Sequence, residues 1–341
     1  MTQEERFMVE NSAGWELDLR RFFDPERVNR ELRPLVMVPG YCMNSFILNF
    51  HPSGVSMISY LTSLGFEVWA TNLRGQGDSC PKKGKRRQPY GFQELAMEDL
   101  PAALRFIEKQ KLSAAEKVDL AGMSLGAPIC YTYLAHHADE HQIGAMVAVG
   151  GPLRWNRVHP LVAFTMRSER LAGLLPIRGT RRLARAAVPL LTRFPRVLSV
   201  YLNPDIVDLT QIDEMIQTVD DPDQQLNAEI VRWIRNRDLI VGGRNICHSL
   251  YSVEVPLLCI IAGQDGIVTP ESALSVLDHI GSHDVEVLEV GSKEVPHAHA
   301  DLFVSHGAEQ KVFRPMGAWL LERNVRKEGE RKMKKKGQGH A

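Results

Sequence analysis

A serine flanked by glycines stands where a strand pattern gives way to a helix pattern. Ser124 is the central residue of Gly122 to Gly126, which reads Gly-Met-Ser-Leu-Gly. The residues Val118 to Ala121 are typical of a short buried strand, and Leu125 to Ala135 are typical of a helix. The pentapeptide is weak evidence alone, since it also fits a tight glycine turn with a solvated serine. Small residues permit a sharp strand-to-helix turn, so we predict that Ser124 projects from a sheet as a nucleophile.

A serine hydroxyl is a poor nucleophile unless a histidine takes its proton and an acid holds that histidine. Both partners follow Ser124 in the order acid and then histidine. Asp265 stands in the loop after an apolar run, and His299 follows the last predicted strand. We interpret His299 as the base, with His297 as its rival. Each histidine taken singly fits a surface or core imidazole at least as well, and the assignment depends on the predicted position.

Attack of a serine on a carbonyl also requires two N–H donors for the oxyanion. One predicted donor is the backbone N–H of Leu125, at the start of the helix after Ser124. The other is the N–H of Tyr41, in the loop that begins at Pro39-Gly40, where glycine allows close approach of the backbone. A simple strand-ending turn explains this loop equally well.

The predicted elements place these residues at one edge of a parallel sheet. Apolar runs alternate with helical patterns, which is typical of a sheet covered by helices on both faces. The first two strands flank a turn and predict an antiparallel hairpin. Open α/β sheets build their sites at the carboxyl ends of their strands, where the candidate residues stand. The predicted strands are Arg6 to Val9, Glu16 to Phe22, Pro34 to Val38, Phe66 to Thr71, Lys117 to Leu120, Ala145 to Val149, Leu257 to Ala262 and Val285 to Val290.

The alternation stops near Gly150 and resumes near residue 251. Residues 154–250 are helical in pattern with repeated prolines, and we interpret them as an inserted cap. The predicted core is therefore residues 1–153 and 251–321. The remainder, residues 322–341, is a basic segment with almost no apolar residues, for which we predict disorder.

The charges of the predicted cap are unevenly distributed. Residues 154–196 hold ten arginines and one acid, and residues 205–223 hold seven acids and no base. The basic part suggests a cap that presents an apolar and basic face to acyl chains or to an anionic membrane. The alternative is a helix packed on the core whose arginines lie in water or pair with the acidic stretch. The basic tail could assist membrane contact, although a solvated charge run explains it as well.

Composition excludes several classes of protein. The chain has 341 residues with 41 basic and 41 acidic side chains, so the overall charge does not favour nucleic acid as a partner. Its five cysteines are widely spaced and suggest neither a disulfide framework nor a zinc site. The polar start has no signal-peptide pattern, and no apolar run approaches the length of a membrane-spanning helix. We expect a cytoplasmic protein, with peripheral membrane association left open.

Taken together, these residues resemble the α/β-hydrolase superfamily, and within it the acid-lipase branch. Residues Gly65 to Gly75 are similar to the G-[YF]-x-V-W-x-x-N-x-R-G segment of that branch, and Asp99 to Ala102 to its D-L-P-A helix start. His299 to Phe303 are similar to its terminal H-x-D-F region. The segment Phe46 to Ser53 also resembles the polyhydroxyalkanoate synthases, which carry a cysteine where this chain has Ser124.

The resemblance implies an α/β-hydrolase fold with a mostly parallel eight-stranded sheet, helices on both faces and an inserted helical cap. Where that branch has His-Gly before the oxyanion loop, this chain has Pro39-Gly40. The acid lipases are typically secreted, which this chain's polar start does not suggest.

The residues themselves predict a carboxylic-ester hydrolase that forms an acyl-enzyme on Ser124 and needs no metal or cofactor. Its expected substrates are small-molecule esters or lipids, especially lipid-like or medium-to-long acyl esters. Two alternatives remain: acyl transfer to another acceptor through the same intermediate, and a binding protein of the same fold without catalysis. The sequence leaves the oligomeric state open.

Overall fold

Eight long strands form the main sheet, each close to its predicted position. The computed structural model describes residues 1–165, 179–191 and 193–324 of the chain. The strands are β1 (Gln3–Glu10), β2 (Trp15–Phe23), β3 (Leu35–Val38), β4 (Val68–Thr71), β5 (Val118–Met123), β6 (Ile143–Val149), β7 (Leu257–Ala262) and β8 (Val285–Val290). A two-residue strand, Cys80–Pro81, pairs with β2 and makes the sheet nine-stranded.

The order of the long strands across the sheet is β1-β2-β4-β3-β5-β6-β7-β8. Strand β2 pairs antiparallel with both β1 and β4, and all pairs from β4 to β8 are parallel. The predicted hairpin is present between β1 and β2. Its turn is closed by Asn11, whose side-chain oxygen accepts hydrogen bonds from the N–H groups of Ala13 and Trp15 at 3.0 and 2.9 Å.

Alternate residues of the central strands enter two different cores, because successive side chains of a strand point to opposite faces. Val36 and Leu120 belong to one core, whereas Met37 and Ala121 belong to the other. Both faces are covered, which explains why the strands appear in the sequence as continuous apolar runs.

Helices connect the strands. The α-helices are Met57–Ser63, Phe92–Glu94, Leu100–Gln110, Gly126–His136, Pro160–Thr165, Thr180–Leu191, Pro195–Leu198, Ile212–Met215, Gln224–Asn236, Ile246–Ser249, Pro270–Ala273, Asp301–Val304 and residues 314–324. Two π-helical turns, Leu95–Asp99 and Glu309–Phe313, lead directly into longer helices. Short 3₁₀ turns are Ser45–Leu48, Leu209–Gln211, Ile216–Thr218, Leu250–Ser252 and Leu274–Asp278.

The segment between β6 and β7 has two parts, and each part packs in a different one of the two cores. Leu198, Leu202 and Met215 pack in the core that contains β8 and the last helix. The later helix Gln224–Asn236 packs in the opposite core through Leu226, Ile230 and Trp233. Helices dominate as expected, but a short antiparallel hairpin pairs Ile240–Val241 with Arg244–Asn245. The predicted domain boundaries stay a prediction.

Two predicted features lie partly outside the described residues. The arginine-rich part of the cap includes residues 166–178, and the basic tail includes residues 325–341, neither of which the structure describes. Within the described ranges, no helix combines the length and apolar character needed to cross a membrane.

Candidate active site

Ser124 occupies a sharp turn between β5 and the helix Gly126–His136. Its φ is +50°, and its N–H donates a hydrogen bond to the carbonyl oxygen of Val149 at 2.7 Å. The helix starts so close to β3 that a Cβ on Gly126 would lie 2.1 Å from the carbonyl oxygen of Val38. Glycine is therefore required there, which is the physical reason for the second glycine of the pentapeptide.

The structure brings together the three residues predicted to act with one another. The Oγ of Ser124 lies 2.9 Å from Nε2 of His299, and Nδ1 of His299 lies 2.5 Å from Oδ2 of Asp265. His299 and Asp265 are buried, and Ser124 is partly exposed. With its proton on Nδ1, the imidazole donates to Asp265 and accepts from the serine hydroxyl, so Nε2 is placed to receive the serine proton.

Asp265 is held by the loop that carries it. Its Oδ1 accepts hydrogen bonds from the N–H groups of Ile267 and Val268, both at 2.8 Å, which leaves Oδ2 for His299. These bonds fix the carboxylate and share its negative charge, so the imidazole has one favoured orientation.

His297, the rival to His299, points elsewhere. Its Nδ1 lies 3.0 Å from the carbonyl oxygen of Val295, and its Nε2 lies 3.5 Å from Nζ of Lys311. Burial lowers the pKa of this buried imidazole. Its contacts are those of a core histidine, whereas His299 lies beside Ser124.

The predicted oxyanion donors are the N–H of Leu125, which follows Ser124 in the chain, and the N–H of Tyr41. Within the described part of the chain, the N–H groups of Tyr41 and Leu125 donate no hydrogen bond to another residue. The loop of Tyr41 approaches the serine closely, since a Cβ on Gly40 would lie 3.0 Å from the Cβ of Ser124. Both N–H groups are therefore open to a ligand, although their direction toward an oxyanion stays a prediction.

Other residues support the predicted oxyanion loop, which has no histidine at position 39. The side chain of Gln76 donates to the carbonyl oxygen of Gly40 at 3.2 Å. On the other side, the N–H of Asp220 donates to the carbonyl oxygen of Cys42 at 2.9 Å. Burial raises the pKa of the Cys42 thiol to about 12, so this neighbouring group stays a neutral thiol.

An apolar cavity of about 290 Å³ opens beside His299. One wall comes from the segment between β6 and β7, through residues such as Leu198, Leu202 and Ile216, and the other from Phe303 and Val304. A cavity lined by aliphatic and aromatic side chains can hold a hydrocarbon chain.

Sequence reasoning missed several parts of this site. The residues 197–219 that line the cavity belong to short helices and turns without a clear period. The hairpin Ile240–Val241 and Arg244–Asn245 had a usable signal in Gly242-Gly243, because both glycines adopt the positive φ of a tight hairpin turn. The support that Gln76 gives to the loop is a long-range contact and leaves no local pattern.

Two of the predicted cap arginines pair with the acidic stretch, as one of the alternatives proposed. Arg181 bonds Asp220 at 3.1 Å, and Arg185 lies 3.3 Å from Asp213. Three further arginines are exposed and form no ion pair with any residue that the structure describes; they are Arg182, Arg193 and Arg196. The basic segment is therefore only partly neutralised. In the described ranges, no three His, Cys, Asp or Glu side chains converge as metal ligands.

Comparisons with known proteins agree with this architecture. A sequence model described as the alpha/beta hydrolase fold matches residues 33–293. Curated protein sequences give no match. Among solved structures, the chain is similar to an esterase from Exiguobacterium antarcticum, with 14% identity over 93% of this chain and 99% of that one and a TM-score of 0.61.

Two further solved structures have the same fold. A monoacylglycerol lipase from Paleococcus ferrophilus is 17% identical over 95% of this chain and 99% of that one, with a TM-score of 0.55. An esterase from Rhodococcus is 16% identical over 94% of this chain and 98% of that one, with a TM-score of 0.59. At such low identity the likeness extends to the fold alone.

Proposed function

The chain belongs to the α/β-hydrolase fold family, and from this premise we propose that it hydrolyses carboxylic esters through an acyl-enzyme on Ser124. One observation carries the proposal: Ser124, His299 and Asp265 form a continuous chain of hydrogen bonds, with distances of 2.9 and 2.5 Å. The esterases and lipases among structures of the same fold support the reaction class.

In the proposed mechanism, Oγ of Ser124 attacks the ester carbonyl while its proton moves to Nε2 of His299. Asp265 stabilises the resulting imidazolium. The N–H groups of Tyr41 and Leu125 donate to the oxyanion of the tetrahedral intermediate. The imidazolium then gives its proton to the leaving alcohol, and the acyl group stays on the serine. A water molecule, deprotonated by His299, releases the acid and restores the serine hydroxyl.

The cavity beside His299 suggests the substrate class. Its lining is almost wholly apolar, and most of it comes from the segment between β6 and β7. Each methylene that leaves water for such a cavity contributes about 0.8 kcal/mol. We therefore assign the cavity to the acyl chain and expect medium-length and longer acyl esters to be better substrates than acetates.

A fluorophosphonate that labels active serines tests the reaction class. We expect the wild-type chain to be labelled and to hydrolyse nitrophenyl esters, with higher kcat/KM for octanoate than for acetate. Ser124→Ala should abolish labelling and reduce hydrolysis by several orders of magnitude. Labelling that persists in Ser124→Ala would contradict the assignment of the nucleophile. A wild-type chain that binds fatty esters without labelling would favour the binding protein of the same fold.

The outer rim of the same cavity supports contact with an anionic lipid surface. Val197 and Tyr201 line the cavity and are also exposed, by 47% and 38%. Nearby in the chain, Leu183 and Phe194 are exposed by 61% and 56%. In the chain, these residues lie close to the exposed arginines Arg182, Arg193 and Arg196. Peripheral membrane binding has two components: apolar side chains that enter the acyl region and basic side chains that attract acidic headgroups. This surface has both.

Vesicle flotation tests this contact. We expect the wild-type chain to float with vesicles that contain phosphatidylglycerol and to remain free with pure phosphatidylcholine. Phe194→Ala combined with Leu183→Ala should weaken binding about tenfold. Ile240→Ala is a matched control, because Ile240 is as exposed, at 59%, but does not line the cavity. Equal flotation with both lipids, or an equal effect of the control, would exclude the proposed surface.

A further inference from the structure

Asp301 is a fully buried acid two positions after His299, with no part in the mechanism above. Its Oδ2 accepts a hydrogen bond from the N–H of Ala298 at 2.7 Å. Its two oxygens also accept from the N–H of Asn203 at 3.0 and 3.1 Å. The carboxylate therefore binds the chain immediately before His299 and, at the same time, a residue of the segment between β6 and β7.

Further bonds join the same two segments. The side-chain amide of Asn203 donates to the carbonyl oxygen of Pro296 at 2.8 Å, and the N–H of Ala300 donates to the carbonyl oxygen of Tyr201 at 2.8 Å. The loop that carries Asp265 is also bonded to the segment between β6 and β7, since the N–H of Gly266 donates to the carbonyl oxygen of Val200 at 3.1 Å. Residues 200–203 thus connect the loops of the proposed base and of its acid partner.

We propose that Asp301 is a positioning residue that holds the His299 imidazole in line with Ser124 by fastening its loop to Asn203. The inference rests on the proposed ester hydrolysis. A misplacement of reacting groups by about 1 Å can cost about a hundredfold in rate, so a loop fixed on both sides of the imidazole matters for turnover. Substrate affinity should be spared, because Asp301 does not line the apolar cavity.

The electrostatic surroundings of Asp301 give this role a distinct signature. The ionisable groups that act on it are Asp265 and His299, and it acts in turn on the Tyr201 hydroxyl. Burial, together with the negative charge of Asp265, raises the pKa of Asp301 to about 7. Asp301 is therefore mostly neutral below pH 7 and mostly an anion above it, so a substitution that removes the charge should alter activity more above pH 7 than below it.

Asp301→Asn in the full chain tests the proposal with nitrophenyl octanoate as substrate. The amide keeps the shape of the carboxylate, but only one of its two terminal atoms, the oxygen, can accept hydrogen bonds from the N–H groups of Ala298 and Asn203. We expect kcat to fall roughly tenfold or more above pH 7 and by a smaller factor below it, where the wild-type acid is itself neutral, and KM to stay within about twofold.

Asp119→Asn is the matched control. Asp119 is equally buried and accepts hydrogen bonds from Arg33 and Asn324, and it lies on β5 near the end remote from Ser124. This variant should lower thermal stability and leave kcat and its pH dependence unchanged. If Asp301→Asn changes only stability, as the control does, Asp301 has a structural role alone and the proposal is wrong.

Asp301→Glu provides a second variant in case Asp301→Asn does not fold. It keeps the charge and both acceptor oxygens, but the longer side chain displaces the carboxylate from the N–H groups of Ala298 and Asn203. We expect a several-fold fall in kcat with KM unchanged, and an unchanged kcat would overturn the proposal. A wild-type chain that is neither labelled by fluorophosphonate nor active on esters would instead refute the proposed function, so the two failures are distinguishable.

Discussion

The backbone of Ser124 lies in the left-handed region, where a non-glycine residue typically costs about 1–2 kcal/mol. Its hydrogen bond to Val149 and the close approach of Gly126 to β3 hold it in that conformation. The result is a side chain that points away from the sheet and toward His299. Strain of this kind persists where the surrounding structure fixes the residue, and here it exposes the hydroxyl.

Asp265→Asn tests whether the carboxylate of Asp265 orients the imidazole of His299. An amide can turn its NH₂ group toward Nδ1 of His299, which favours the tautomer with its proton on Nε2. That tautomer cannot accept the proton of Ser124. We expect kcat for ester hydrolysis to fall roughly 10³- to 10⁴-fold with little change in thermal stability.

The comparison with Ser124→Ala makes this measurement specific. Both variants should retain the fold, and the rate that remains in Asp265→Asn should exceed the rate in Ser124→Ala. A loss of less than about tenfold in Asp265→Asn would mean that Asp265 does not orient the base.

At the scale of elements, the sequence predicted the parts of the fold that depend on local pattern. All eight strands lie within three residues of their predicted ends, because buried strands such as β3 and β7 form continuous apolar runs. The elbow was predictable for the same reason. Its strand, small residues and helix are adjacent in sequence, and Asp265 and His299 each follow a recognisable strand.

The segment between β6 and β7 could not be predicted in the same way. Its short helices contact the site through long-range hydrogen bonds, such as that between Asn203 and Asp301. Such a bond joins residues far apart in the chain and imposes no periodicity on either. Asp301 was noticeable in the sequence as the acid of the His-x-Asp pattern. Its partner Asn203 became evident only from the structure.

A prediction at this scale concerns the wall of the apolar cavity. Ile216→Trp should fill part of the cavity and shorten the acyl chain that it accepts. If four methylenes are excluded, the loss is about 3 kcal/mol, or roughly two orders of magnitude in kcat/KM for the longest accommodated ester. Hydrolysis of nitrophenyl acetate should be nearly unchanged, and a series of chain lengths measures the shift.

Ile240→Trp is the control for this substitution. Ile240 is exposed and lies in the hairpin away from the cavity, so its replacement should leave the chain-length profile unaltered. A uniform decrease for all esters in Ile216→Trp would indicate damage to the fold and would argue against the acyl assignment of the cavity.

At the scale of the whole molecule, Asp301 couples folding to pH. Its pKa is raised from 3.8 to about 7 in the folded state, so the folded chain binds this proton more tightly than the unfolded chain. The contribution of Asp301 to stability is therefore fully present at low pH and is lost as pH rises through about 7. Between pH 5 and pH 8 this amounts to roughly 2–3 kcal/mol in the free energy of unfolding.

Urea denaturation of the wild-type chain and of Asp301→Asn, each at pH 5 and at pH 8, measures how the free energy of unfolding depends on the titration of Asp301. The difference in stability between the two proteins should favour the wild type more at pH 5 than at pH 8. A constant difference would show that Asp301 has the same pKa in the folded and unfolded states.

Ser124 and His299 are 175 positions apart in the chain, although their side chains meet. A ribosome completes β3, β5 and β6 long before it adds β8 and the imidazole that follows. Because proteins begin to fold from the amino-terminal side during synthesis, the elbow can form while its proton acceptor does not yet exist. Under the proposed mechanism, the nascent chain thus carries an inert hydroxyl, and reactivity toward esters arises only when the last strand joins the sheet.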